Sequence, residues 1–67
     1  MVPELIYTKK CGETTIVVAR SDDCWDVYYT KPMFPFVFAF GLPLVHSLDE
    51  VFLVAEGNIE NYTNLFN

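Results

Sequence analysis

The chain has 67 residues, 52% of them hydrophobic and 16% aromatic, and a formal net charge of −5. A chain of this length makes one domain and buries only about 60% of the surface its unfolded form exposes, so a composition this apolar predicts an exposed apolar patch of the kind that marks an interface. The acidity argues against direct nucleic-acid binding, which wants a basic stripe to replace counterions on phosphate, and favours a basic surface on another protein as the partner.

Met1-Val-Pro-Glu4 has no basic segment leading into an apolar one. No signal peptide is read there, and a cytoplasmic location is expected (host cytoplasm for a viral protein). Glu4 to Lys9 alternates, with Leu5 and Tyr7 on one face, and reads as the first strand. Lys10-Cys-Gly-Glu13 is a turn in which Gly12 is free to take φ > 0. Thr14 to Arg20 is rich in β-branched residues and reads as the second strand. Ser21-Asp-Asp23 forms the next turn, from residues that hydrogen-bond their own backbone. Cys24 to Thr30 is the third strand, with Trp25, Val27 and Tyr29 on one face and Asp26, Tyr28 and Thr30 on the other.

Lys31-Pro-Met33 turns again, and Phe34 to Phe40 reads as the fourth strand, its alternation placing Phe34, Phe36, Phe38 and Phe40 together. Pro35 lacks an N–H, so this strand begins there or lies at an edge. The uncharged run from Pro32 to Val45 is fourteen residues long and interrupted by Pro35, Gly41 and Pro43. It falls short of the roughly 20 residues a membrane helix needs, and no membrane association is expected.

Ser47-Leu-Asp-Glu50 is a capping box: Ser47 accepts from the N–H of Glu50, and Glu50 reaches back to the N–H of Ser47. Leu48, Val51, Phe52, Ala55, Ile59, Tyr62 and Phe66 then recur at helical spacing. Gly57 falls opposite this stripe, so one helix is read to about residue 65 despite the cost of about 1 kcal/mol that a mid-helix glycine carries. The expected fold is α+β: a four-stranded antiparallel meander covered on one face by a single C-terminal helix, ββββα, with sheet 4–40, connecting loop 41–46 and helix 47–66 in one domain, 1–67. The expected core is Leu5, Tyr7, Val18, Trp25, Val27, Phe36, Phe38, Phe40, Val51, Phe52, Ala55, Ile59 and Tyr62.

The residues that could carry chemistry form no site in the sequence. Cys11 and Cys24 lie at opposite ends of the second strand, about 20 Å apart, too far for a disulfide, and read as free thiols of a reducing compartment. With His46 they offer no zinc-ligand spacing. His46 has no nucleophile held against it, since Ser47 and Asp49 both serve the helix terminus. Asn61-Tyr62-Thr63 matches a glycosylation sequon, but Tyr62 belongs to the apolar stripe. No catalytic residue, cofactor or metal is expected, and the chain is not read as an enzyme.

Two surfaces remain. All four bases lie before residue 32, and residues 32–67 carry four acids and no base. Asp49, Glu56 and Glu60 fall within about 40° on the helix, with Leu53 beside them. That edge is the candidate for binding a basic, nucleic-acid-binding surface of a partner. The other candidate is the second sheet face, Ile6, Val17, Ala19, Tyr28, Val37 and Ala39, with Val17, Tyr28 and Val37 at the centre of a homodimer contact. The proportions are similar to those of many small phage and mobile-element proteins, including inhibitors of host nucleic-acid enzymes, a likeness of size and charge that carries no site residue. The leading expectation is an acidic interaction module acting as an inhibitor or adaptor, and the alternative is a structural or accessory homodimer.

Overall fold

The computed structural model describes residues 5–62, with side chains from Ile6 onward. Four antiparallel strands, β1 (Leu5–Cys11), β2 (Thr14–Arg20), β3 (Cys24–Thr30) and β4 (Val37–Pro43), lie in the sheet order β1-β2-β3-β4, and α1 (Leu48–Tyr62) follows them. This is the expected ββββα meander.

The turns form where their chemistry requires. Cys11 pairs with Thr14, leaving a two-residue loop in which Gly12 takes φ +63°, the positive φ that a hairpin turn demands at its first central position. Between β3 and β4, the N–H of Phe34 donates to the carbonyl of Lys31 at 3.1 Å. Pro32 and Met33 are the central residues, and Met33 has φ +73°, the pattern of a type II turn.

Burial alternates along β2 and β3. Ile16, Val18, Trp25, Val27 and Tyr29 point to the helix and, with Val51 and Ala55, form the buried core. Of these, Ile16 goes beyond the expected core, although its place two residues before Val18 puts it on the same face. Tyr29, expected on the Trp25 face, is fully buried as well.

The fourth strand differs from its expectation. It begins at Val37, not Phe34, and runs to Pro43. Its register slips by one residue at a bulge: Val27 faces Phe40, whereas Tyr28 faces Phe38. An extra residue reverses the side-chain alternation beyond it. Phe40 and Leu42 therefore pack on the core, while Phe36 and Phe38 are 65% and 54% exposed. Val37, expected on the open face, lies opposite Tyr29 and packs against the core instead. Pro43 sits in an edge strand, where a missing N–H breaks no ladder.

The helix starts as the capping box predicts. The N–H of Ser47 donates to Glu50 Oε1 at 3.0 Å, and the N–H of Glu50 donates to Ser47 Oγ at 3.2 Å. It passes through Gly57 without interruption. Phe66 and the sequence beyond Tyr62 lie outside the described residues, as do Glu4 and the side chain of Leu5.

Two long-range hydrogen bonds tie helix to sheet. Trp25 Nε1 donates to the carbonyl of His46 at 2.9 Å, which sets the β2–β3 end of the sheet beside the helix N-terminus. Tyr29 Oη donates to the carbonyl of Ala55 at 2.7 Å. The Tyr62 ring lies 5.6 Å from Tyr29 and 5.7 Å from Phe40, closing the other end. No described helix is long and apolar enough to cross a membrane.

Candidate functional site

The helix covers one face of the sheet. The register of the hairpins arranges the other face in rows. Ile6, Ala19, Asp26 and Gly41 form one row, Thr8, Val17, Tyr28 and Phe38 the next, and Lys10, Thr15 and Thr30 the third. Ile6 and Ala19 of the first row, Thr8, Val17 and Tyr28 of the second, and Phe36 line a shallow groove of about 350 Å³. Tyr28 and Phe38 pack edge to face, with centroids 5.4 Å apart at 71°, a favoured aromatic geometry. Ile6 is 58% exposed. An open antiparallel face normally carries polar side chains; the third row here does, but the groove lining is aliphatic and aromatic except for Thr8.

Of the expected dimer residues, Val17 and Tyr28 sit at the centre of this face and Val37 does not. Phe36 and Phe38 take its place. The bulge at Val27/Tyr28 sends them there, and nothing in a run of alternating phenylalanines announces a bulge.

The acidic helix edge is less uniform than its spacing suggests. Asp49 and Glu60 are exposed, and Leu53 is 70% exposed. Glu56 instead turns toward β1, where its Oε1 lies 3.0 Å from Lys9 Nζ and 3.5 Å from the Cys11 thiol that donates to it. Lys9 holds the Glu56 carboxyl below its ordinary range. Its charge is thus balanced within the chain. Asp22 and Asp23 in the β2–β3 turn and Asp49 and Glu50 in the first helical turn belong to the end closed by the Trp25–His46 hydrogen bond, whereas Asp26 lies on the open face.

The remaining reactive groups are occupied locally. Both cysteines are free thiols. Partial burial and the neighbouring Glu56 carboxylate push the Cys11 thiol up, which disfavours the thiolate that nucleophilic chemistry needs. Cys24 Sγ lies 3.3 Å from Asp26 Oδ1 and 3.5 Å from Ser21 Oγ. His46 Nδ1 lies 3.5 Å from Glu50 Oε2. The Glu50 carboxyl is held low first by the Ser47 backbone N–H and then by His46, so it serves the helix cap. Among the described residues, no three His, Cys, Asp or Glu side chains gather in a way that could hold a metal.

Compared with protein families, curated proteins and solved structures, the chain matches none.

Proposed function

We propose that this protein is a small interaction module, not an enzyme, and that it assembles through the open face of its sheet. The observation that carries this reading is the groove around Val17 and Tyr28, flanked by Ile6, Phe36 and Phe38, each more than half exposed. Contiguous apolar surface of this kind costs solubility unless it is covered, and interaction sites are where proteins keep it. Large aromatics such as Tyr28, Phe36 and Phe38 are also enriched in interface cores.

A second reading rests on the acidic end of the molecule. Asp22, Asp23, Asp49 and Glu50 lie toward the end where β3 meets the helix N-terminus, and Arg20 is engaged there over the Trp25 ring at 5.8 Å. Such a pole suits docking or steering onto a basic surface of a partner, including a nucleic-acid-binding one. Within the expected binding edge, Glu56 is paired to Lys9, whereas Asp49 and Leu53 are exposed.

The two readings separate in extracts of the source cell. Sedimentation of the tagged protein should give a mass above that of its 7.7 kDa chain plus tag, and Val17→Asp should collapse it to the monomer. The paired reversal Asp49→Lys, Glu60→Lys should leave the complex intact. A complex that survives Val17→Asp and is dispersed by the paired reversal transfers the function to the acidic helix edge.

A further inference from the structure

We propose that the occupant of the open sheet face is a second copy of this chain, packed face to face about a twofold axis that passes over Val17. This inference rests on the open-face reading and names its partner.

The argument comes from where the charges on that face lie. In a chain of net charge −5, the described residues of the open face include one base and one acid. Lys10 lies on β1 in the third row, and Asp26 lies on β3 in the first row. β2 is midway between those strands, and the row of Val17 is midway between those rows, so Val17 occupies the midpoint of the diagonal from Lys10 to Asp26. A twofold axis lying between two such faces, through that midpoint and perpendicular to the diagonal, exchanges its two ends. It sets each Lys10 against the partner's Asp26 twice over and stacks Val17 on Val17. A self-complementary patch of this kind is what an isologous contact requires. Among the described residues no ion pair engages Lys10 or Asp26 within the chain. The described acids at the turns and on the helix lie away from the centre of the contact, beyond or near a screening length of about 8 Å.

The extent of the face agrees. Four strands about 4.8 Å apart and seven residues at about 3.3 Å each span roughly 19 by 23 Å. Two such faces with their side-chain relief bury roughly 1,000 Å² together, at the threshold for a specific interface. The same spacings set the diagonal at roughly 36° to the strands, so the axis makes the two sheets cross at roughly 70°. That is nearer the orthogonal than the aligned class of sheet packing.

The test is sedimentation equilibrium of the purified full chain with four variants: Val17→Asp, Lys10→Asp, Asp26→Lys and the double exchange Lys10→Asp, Asp26→Lys. Far-UV circular dichroism and Trp25 fluorescence verify that each is folded. The wild type should be a dimer that Val17→Asp converts to monomer. Each single reversal, which places like charges together twice, should raise the dimer Kd by about tenfold or more at low salt, and the double exchange should restore it to within about threefold. A wild type that stays monomeric at hundreds of micromolar, while its complex in cell extract still collapses with Val17→Asp, overturns the second copy and leaves the open-face reading standing with a different protein as occupant. A dimer indifferent to Val17→Asp overturns both. A dimer broken by Val17→Asp but not rescued by the double exchange overturns the twofold placement.

Discussion

The Tyr29 hydroxyl, on the central strand β3, donates a 2.7 Å hydrogen bond to the carbonyl of Ala55 in the middle of the helix. The residue is 1% exposed, so this one bond satisfies a buried hydroxyl and fixes where along the sheet the helix lies. Tyr29→Phe keeps the ring and removes the bond. It should cost about 1 kcal/mol in urea unfolding, the usual worth of a buried neutral hydrogen bond.

The same hydroxyl predicts an alkaline limit. Burial, with Tyr62 nearby, pushes the Tyr29 phenol up from 10.0 to about 12. Between those values the unfolded chain loses its proton and the folded chain keeps it, so stability falls as pH rises from about 10 to about 12. Thermal melts across that range should show wild type losing more stability than Tyr29→Phe. Equal losses would mean that Tyr29 is not held protonated by the fold.

On the acid side the sign is opposite. Glu50 and Glu56 both titrate below the ordinary 4.5 when folded, Glu50 through the Ser47 N–H first and Glu56 through Lys9 first. The unfolded chain therefore takes up protons first as pH drops. The stability these groups add is complete above pH 4.5 and is lost as pH falls through their folded values. Glu56→Gln should flatten this acid limb. Glu56→Lys would set two ammonium groups together at Lys9 and should lower the melting temperature at neutral pH, more than Glu60→Lys does.

The bulge makes a prediction about Phe38 and Phe40, two positions apart. Ile16, fully buried, should cost about 2–5 kcal/mol as Ile16→Ala. Phe40→Ala should be clearly destabilising, because Phe40 packs on the core. Phe38→Ala should cost under about 1 kcal/mol when measured at concentrations that keep the chain monomeric, since its ring lies on the open face. The reverse ranking of Phe40 and Phe38 would remove the register slip at Val27/Tyr28.

Gly57 lies inside the helix and is exposed, and a Cβ there would meet nothing within 4 Å. Gly57→Ala should therefore stabilise by about 1 kcal/mol through helix propensity alone. A loss of stability would show that the backbone at Gly57 is not helical.

Much of this architecture was legible because its signals are local. Ser47 and Glu50 make both halves of the capping box within four residues, and Gly12 marks its turn by itself. The phase of β4 was not, because a bulge is a relation between two strands and leaves no mark in one of them. Val37 and Phe38 exchanged faces for that reason. Glu56 looked like part of a solvent edge because Lys9, its partner, lies at the other end of the chain. The Lys10–Asp26 diagonal was likewise hidden until the hairpin registers fixed which rows those residues occupy.

The central claim is that the open sheet face is the surface this protein works through. Methyl NMR with a soluble paramagnetic agent tests it without altering a residue. As protein concentration rises, the Val17 and Ile6 methyls should become shielded from the agent, while those of Leu53, 70% exposed on the helix, stay accessible. Shielding of Leu53 with Val17 and Ile6 accessible throughout would contradict the account and place the working surface on the helix.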